Sequence, residues 1–128
     1  MRLLLDTHTL LWWLTGDERL PPTARVAIRD ADLVYVSAAS AWEVATKARI
    51  GKLPEALSLA QDFRDRLERQ SFRALDITLE HAQRAGLLPG PHRDPFDRML
   101  IAQAQAENLI LVSNEDLFDQ YGVVRLWK

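Results

Sequence analysis

Arg2 to Leu5 is a short, mostly apolar run that Asp6 cuts off, and Leu10, Leu11, Trp13 and Leu14 then recur at helical spacing until Gly16. The pattern predicts a buried strand followed at once by a helix. Pro21 and Pro22 open a second helix carrying Ala24, Val26, Ala27 and Ile28, because proline suits a first turn whose N–H groups lack partners anyway. Leu33 to Val36, β-branched and aromatic, predicts a second buried strand. Ser37 or Ser40 can cap the next helix, which holds Trp42, Val44, Ala45 and Ala48 and stops at Gly51. A longer helix is expected from about Glu55 to Gln70, with Arg64, Arg66 and Arg69 on its surface. Phe72 to Ile77 predicts a third strand, and Thr78 to Ala85 a helix ended by Gly86 with His81 exposed. After Pro89-Gly90-Pro91, Asp94 as N-cap and Pro95 in the first turn start an amphipathic helix to about Glu107. Asn108 turns the chain into a fourth strand, Leu109 to Val112. Glu115 to Gln120 makes one or two helical turns, and Val123 to Leu126 a last strand.

Strands alternating with helices imply right-handed crossovers onto a mostly parallel sheet covered on both faces. The expected class is α/β, a three-layer α/β/α sandwich, as one domain over residues 1–128 without internal repeat or linker. With 48% hydrophobic and 27% charged residues, disordered, collagen-like and coiled-coil readings fall away. The formal net charge of −2 provides no global basic field, so a nucleic-acid partner would have to be met by a local patch or by bound metal. Cysteine is absent, which removes disulfides, thiolate nucleophiles and cysteine-bound zinc and agrees with a reducing, cytoplasmic setting. No stretch approaches the ~18 apolar residues of a spanning helix, so no membrane association is expected.

In an open parallel sheet, ligands bind where the carboxyl ends of strands meet the first turns of the helices that follow. Asp6, at the end of the first strand, and Glu43, early in the helix after the second, fall on that edge. So do Asp97, in the first turn after Pro95, and Glu115, just past the fourth strand. Singly, each has a plain explanation: a first-turn acid meets the helix dipole favourably, and a strand-end Asp is commonly a cap. Gathered from separate segments, they would repel one another and raise their own pKa values unless a cation neutralised them. Ligands that are all oxygen call for a hard ion, Mg²⁺, with Mn²⁺ as a substitute. Such an ion activates water and stabilises charge on a phosphoryl group, and two ions about 4 Å apart would clamp attacking and leaving oxygens. Phosphodiester hydrolysis is the reaction this favours.

Other chemistry finds less support. His8 follows Asp6 closely and is a candidate to touch the site, whereas His81 and His92 form no metal spacing with another histidine. No nucleophile elbow surrounds Ser37, Ser40 or Ser113, and the glycines form no phosphate-binding loop. Trp12, Trp13 and Trp42 are able to stack on bases but serve equally as core or interface anchors. Trp12 and Trp13 point about 100° apart on their helix, so one of them is expected to face a partner.

Leu3-Leu4-Leu5-Asp6-Thr7-His8, Ser40-Ala41-Trp42-Glu43-Val44, the run from His92 to Ala104 and the run from Leu111 to Val123 together resemble the PIN-domain family. More narrowly, they resemble the VapC-type toxins of bacterial toxin-antitoxin pairs. The match spans essentially the whole chain in the family's order. The resemblance implies a metal-dependent endoribonuclease, commonly a homodimer, that cuts RNA and is held inactive by a cognate antitoxin encoded beside it. It assigns Asp6, Glu43 and Asp97 as the family's first three acids. Where the family has an Asp after a Thr-Asn or similar pair, this chain has Ser113-Asn114-Glu115 with Asp116 behind. Glu115 aligns, one methylene longer, and Asp116 can substitute if the loop turns. The implied catalytic set is therefore Asp6, Glu43, Asp97 and Glu115, with Asp116 added to the metal ligands. Ser113 aligns with a supporting hydroxyl residue. Arg98, Lys47, Arg49 and His8 are candidates to hold the phosphate backbone, and Asp94 reads better as the N-cap of its helix.

Two other classes compete. A phosphoacceptor regulatory domain would share the sheet and its acidic edge but needs a well-placed late lysine, and only Lys128 is available. A catalytically weak PIN-like binding module would keep the fold and lose a core acid, and Glu115 is the position where that loss would show.

Overall fold

In the computed structural model, which describes residues 1–128, the strands are β1 (Arg2–Leu5), β2 (Leu33–Ser37), β3 (Arg73–Leu75), β4 (Ile110–Val112) and β5 (Arg125–Leu126). They form one sheet in the order β3-β2-β1-β4-β5, and every pairing is parallel. β1 is central because Leu3, Leu4 and Leu5 are apolar on both faces and fully buried. Leu3 and Leu5 join the larger core cluster with Val34, Val36 and Val112, while Leu4 joins Leu100, Ile101, Leu111 and Phe118 on the opposite face. That alternation along a single strand separates the layers of the sandwich. Each of these leucines stabilises the fold by about 1.5–3 kcal/mol through burial alone.

The helices are α1 (Thr7–Thr15), α2 (Pro22–Asp30), α3 (Ala38–Arg49), α4 (Ala56–Gln61), α5 (Phe63–Arg69), α6 (Leu79–Leu87) and α7 (Pro95–Glu107), followed by a 3-10 helix at Asp116–Tyr121. Their starts follow the expected chemistry. Asp6 caps α1, Ser37 rather than Ser40 caps α3, Thr78 caps α6 and Asp94 caps α7. Gly16 and Asn108 close α1 and α7 in the left-handed region. No helix is long and apolar enough to cross a membrane.

Several boundaries differ from the sequence pattern. The helix expected from about Glu55 to Gln70 breaks at Asp62, whose φ of −141° is not helical, and the break lets Phe63 and Leu67 reach the same core as Leu59. The third strand covers only Arg73–Leu75 because β2 ends at Ser37, opposite Leu75, where α3 begins. The last strand instead loses its start and covers only Arg125–Leu126, paired with Leu111 and Val112, because β4 begins only at Ile110. Gly86 lies inside α6 and not at its end. The stop comes from Pro89, which disfavours helical backbone at Leu88. His81, expected to be exposed, is 2% exposed: it faces α7, with Nε2 3.0 Å from Glu107 Oε2 and Nδ1 accepting from the Thr78 N–H.

Candidate active site

The parallel register determines where the site lies. Leu5 pairs with Val36 on one side and Val112 on the other, so the next residues, Asp6, Ser37 and Ser113, emerge side by side at the carboxyl edge. Asp6 is buried. Its Oδ1 accepts the Thr9 N–H at 2.8 Å, and its carboxylate also takes a hydrogen bond from the Ser113 hydroxyl. Burial raises its pKa above the ordinary carboxylate value, and these hydrogen bonds partly offset the rise.

Glu43, in the second turn of α3, is also buried. Thr7 Oγ1 donates to its Oε1 at 2.6 Å and lies 3.1 Å from Ser40 Oγ. Lys47, one turn later on the same helix, donates to Oε2 at 2.6 Å. Both oxygens of this carboxylate are therefore occupied by the protein.

Asp97 sits in the first turn of α7, where the helix dipole favours a negative charge. Even so, its pKa is pushed up to about 8. Burial is the largest cause, followed by the charges of Asp94, Glu43, Asp6 and Glu115. Asp94 spends its Oδ1 on the Phe96 and Asp97 N–H groups, and Glu115 spends its Oε1 on the Leu117 N–H.

These acids line one open cavity of about 360 Å³, together with Thr7, His8, Lys47, Arg19 and Asn114, and Trp12 is its only hydrophobic lining residue. Asp6, Glu43, Asp97 and Glu115, drawn from four separate segments, are thus brought to one place, and Asp94 joins them while still capping its helix. Asp116 does not line the cavity; it lies in the 3-10 helix, with Arg125 within reach of its charge. No three of the acids converge on a single point.

The residues expected to support the site sort differently. His8 and Lys47 line the cavity, but Lys47 is already paired with Glu43. Arg49 is exposed at the last turn of α3. Arg98 is not available to a phosphate: its guanidinium donates to the carbonyl oxygens of Ala85, Leu88 and His92 and so fixes the loop ahead of α7. The expectation of a partner-facing tryptophan on α1 fails. Trp12 packs against Trp127, and Trp13 packs on Phe72 and donates Nε1–H to Gln70. The exposed ring is Trp42, 60% exposed, set edge-to-face on Phe96 at 4.9 Å. Thr7 and Ser40 were not singled out as site residues by the sequence. Their signal is that Thr7 directly follows the strand-end Asp and Ser40 precedes Glu43 by one helical turn.

The family model described as PIN domain matches residues 3–124. The chain belongs to the PIN-domain family. This PIN domain is also 32% identical over 113 residues to Ribonuclease VapC22 of Mycobacterium tuberculosis, covering 88% of the chain and 85% of that relative, which puts it among the VapC-type members. Among solved structures, VapBC2 from Rickettsia felis bound to a DNA fragment from their promoter matches with a TM-score of 0.71 at 16% identity, covering 100% of both chains. Mycobacterium tuberculosis VapC20, titled a sarcin-ricin loop cleaving toxin, matches with a TM-score of 0.69 at 18% identity, covering 98% of this chain and 99% of that one. At these identities the structural likeness carries the fold, an α/β sandwich on a parallel sheet. In this PIN domain, the acidic cavity therefore lies at the carboxyl edge of the family's own sheet.

Proposed function

We propose that this chain is a metal-dependent endoribonuclease and the toxin of a toxin-antitoxin pair. The observation that carries the reading is the cavity in which Asp6, Glu43, Asp97 and Glu115 meet, with Asp97 held at a pKa of about 8 by burial and by the other acids. A cluster with this surplus of negative charge is stabilised by a cation.

The donors fit a hard divalent ion. They are all carboxylate or hydroxyl oxygens; no three of the acids form a ready-made metal site, so an ion here would fill most of its shell with water, as Mg²⁺ does. Asp6, Asp97 and Glu43 would hold Mg²⁺ or Mn²⁺, with Glu115 completing the acidic wall. When bound, the ion supplies Lewis acidity toward a phosphodiester and toward the water that attacks it. The chain's own part is positional. Thr7 and Lys47 fix the Glu43 carboxylate, Ser113 and Thr9 fix that of Asp6, and Asp94 sets the first turn that carries Asp97. Among the lining residues, His8 and Arg19 can donate to an RNA phosphate, Arg19 while also pairing with Asp17 and lying over Trp12.

RNA as substrate and an antitoxin as partner are supported by the relatives, one named a ribonuclease and others VapBC complexes, and a homodimeric state and a cytoplasmic location are part of the same proposal. The test is cleavage of RNA by the purified chain with Mg²⁺, Mn²⁺ or EDTA, alongside expression in bacteria. Cleavage and growth arrest are expected for the wild type with metal and not for Asp97→Asn. An Asp97→Asn variant that cuts like the wild type would sink the assignment.

A further inference from the structure

His92 does not line the cavity, yet it is 8% exposed and its ring edge faces an acid that does. Nε2 lies 3.1 Å from Asp97 Oδ2 and is buried without a well-aligned hydrogen bond. The other ring nitrogen determines its role. Nδ1 accepts the Asp94 N–H at 3.4 Å, so the hydrogen of the neutral ring belongs on Nε2, beside Asp97 Oδ2 but without a hydrogen-bond partner.

Everything around this ring holds it still. Its face stacks on Phe118 at 5.7 Å and 25°. Its own N–H donates to the Tyr121 hydroxyl at 2.9 Å, and its carbonyl accepts from Arg98 at 2.9 Å. Gly90, at φ +100°, lets the loop pass so close to the Tyr121 hydroxyl that an added Cβ would sit 2.8 Å from it. Phe118 and Tyr121 both belong to the 3-10 helix that Glu115 caps. The segment that supplies the fourth acid therefore also clamps the ring that faces the third.

We infer that His92 is a positioning residue: a small turn of the Asp97 carboxylate brings Oδ2 into line with the buried, unpartnered Nε2–H, which then holds that oxygen and leaves the other to the cavity. This rests on the metal-site reading above. Metal-ligating carboxylates need such an outer partner to hold their orientation, and losing one costs about 10- to 100-fold in metal affinity or activity. An unpaired buried donor beside a ligand is also best satisfied when that ligand is ionised, which is its state when it faces a cation.

The test is Mn²⁺ titration calorimetry on the full chain with His92→Ala, His92→Gln, Asp97→Asn and the His92→Ala/Asp97→Asn double variant, with melting curves as a fold control. His92→Ala is expected to weaken Mn²⁺ binding about tenfold or more. His92→Gln, whose amide reaches the same point, should recover most of that loss, and His92→Ala should add nothing in the Asp97→Asn background. A His92→Ala variant that binds as the wild type does while Asp97→Asn loses affinity overturns the positioning role alone, as do independent, multiplying losses. Wild-type affinity in Asp97→Asn overturns the metal-site reading itself. If His92→Ala does not fold, His92→Gln and Tyr121→Phe decide: binding close to wild type for Gln with a smaller loss for Phe supports the role, and a Gln variant that melts normally but binds poorly overturns it.

Discussion

The two walls of the cavity are built on opposite terms. On the wall made by the end of β1 and by α3, the chain answers each acid itself: Asp6 through Thr9 and Ser113, Glu43 through Thr7 and Lys47. On the wall made by α7 and the 3-10 helix, Asp94 and Glu115 turn oxygens to helix capping, and Asp97 faces four like charges with only the edge of His92 beside it. The first wall meets its charges with protein groups, although burial still leaves the Asp6 pKa raised. The second gathers negative charge that the protein leaves unanswered, and under the proposed metal site this draws the cation toward the Asp97 side.

The sharpest way to break this comparison is to neutralise one acid on each wall. Both Asp97→Asn and Glu43→Gln are expected to reduce metal-dependent cleavage by about 100-fold or more, the loss of roughly 3 kcal/mol of transition-state stabilisation. Their effects on the metal-free fold should have opposite signs. Glu43→Gln removes a buried, paired charge and should destabilise by about 1–3 kcal/mol. Asp97→Asn removes like-charge repulsion and should raise the melting temperature at pH 8 and above. Melting curves in EDTA that move the same way in both variants would show that the walls are not different in kind.

The pH dependence follows from the same asymmetry. The folded pKa of Asp97, about 8, lies above its ordinary value of 3.8, so between those limits the folded state holds more protons than the unfolded one. Stability of the metal-free protein should therefore be greatest at the acid end of that window and fall as pH rises through about 8. Asp97→Asn should reduce that slope, with Asp6, whose pKa burial also raises, carrying the remainder. Thermal melts in EDTA between pH 5 and pH 9, about the span of the shift, check it, and a wild-type slope that Asp97→Asn leaves intact would place the raised group elsewhere. Mn²⁺ competes with the same proton, and at about 100 times its Kd it should stabilise the wild type by about 2.7 kcal/mol, with little effect on Asp97→Asn.

Much of this is legible in the sequence because it depends on short-range rules. The apolar run ending at Asp6, the Asp94-Pro95 start and the alternation of strands and helices were enough to bring Asp6, Glu43, Asp97 and Glu115 to one edge. What escaped was set by pairing across the fold. The lengths of β3 and β5 depend on where β2 stops and where β4 begins, and the break at Asp62 depends on a core shared with Leu59. Arg98 reads as a phosphate ligand in the sequence because nothing in its helical pattern shows that three carbonyls, from the end of α6 and the loop after it, claim it. His92 looked inert for the same reason: its partners, Asp97, Phe118 and Tyr121, come together only through α7 and the 3-10 helix.

The smallest effect concerns the fourth acid. Glu115 lines the cavity but its Oε1 caps the 3-10 helix through the Leu117 N–H at 3.1 Å, whereas Asp116 lies outside. A side chain held by a cap contributes to the cavity mainly as a nearby charge, worth about 1 kcal/mol or less through water. Glu115→Gln should thus weaken Mn²⁺ binding by at most roughly fivefold, far less than Asp97→Asn. Glu115→Asp, which keeps both the charge and a good capping group, should sit close to the wild type. Asp116→Asn should leave affinity unchanged, because the charge it removes belongs to the neighbourhood of Arg125. Calorimetry on the three variants gives the ranking. A larger loss for Asp116→Asn than for Glu115→Gln would mean that the loop turns over when a cation enters and that the α7 side of the cavity is completed by Asp116 instead.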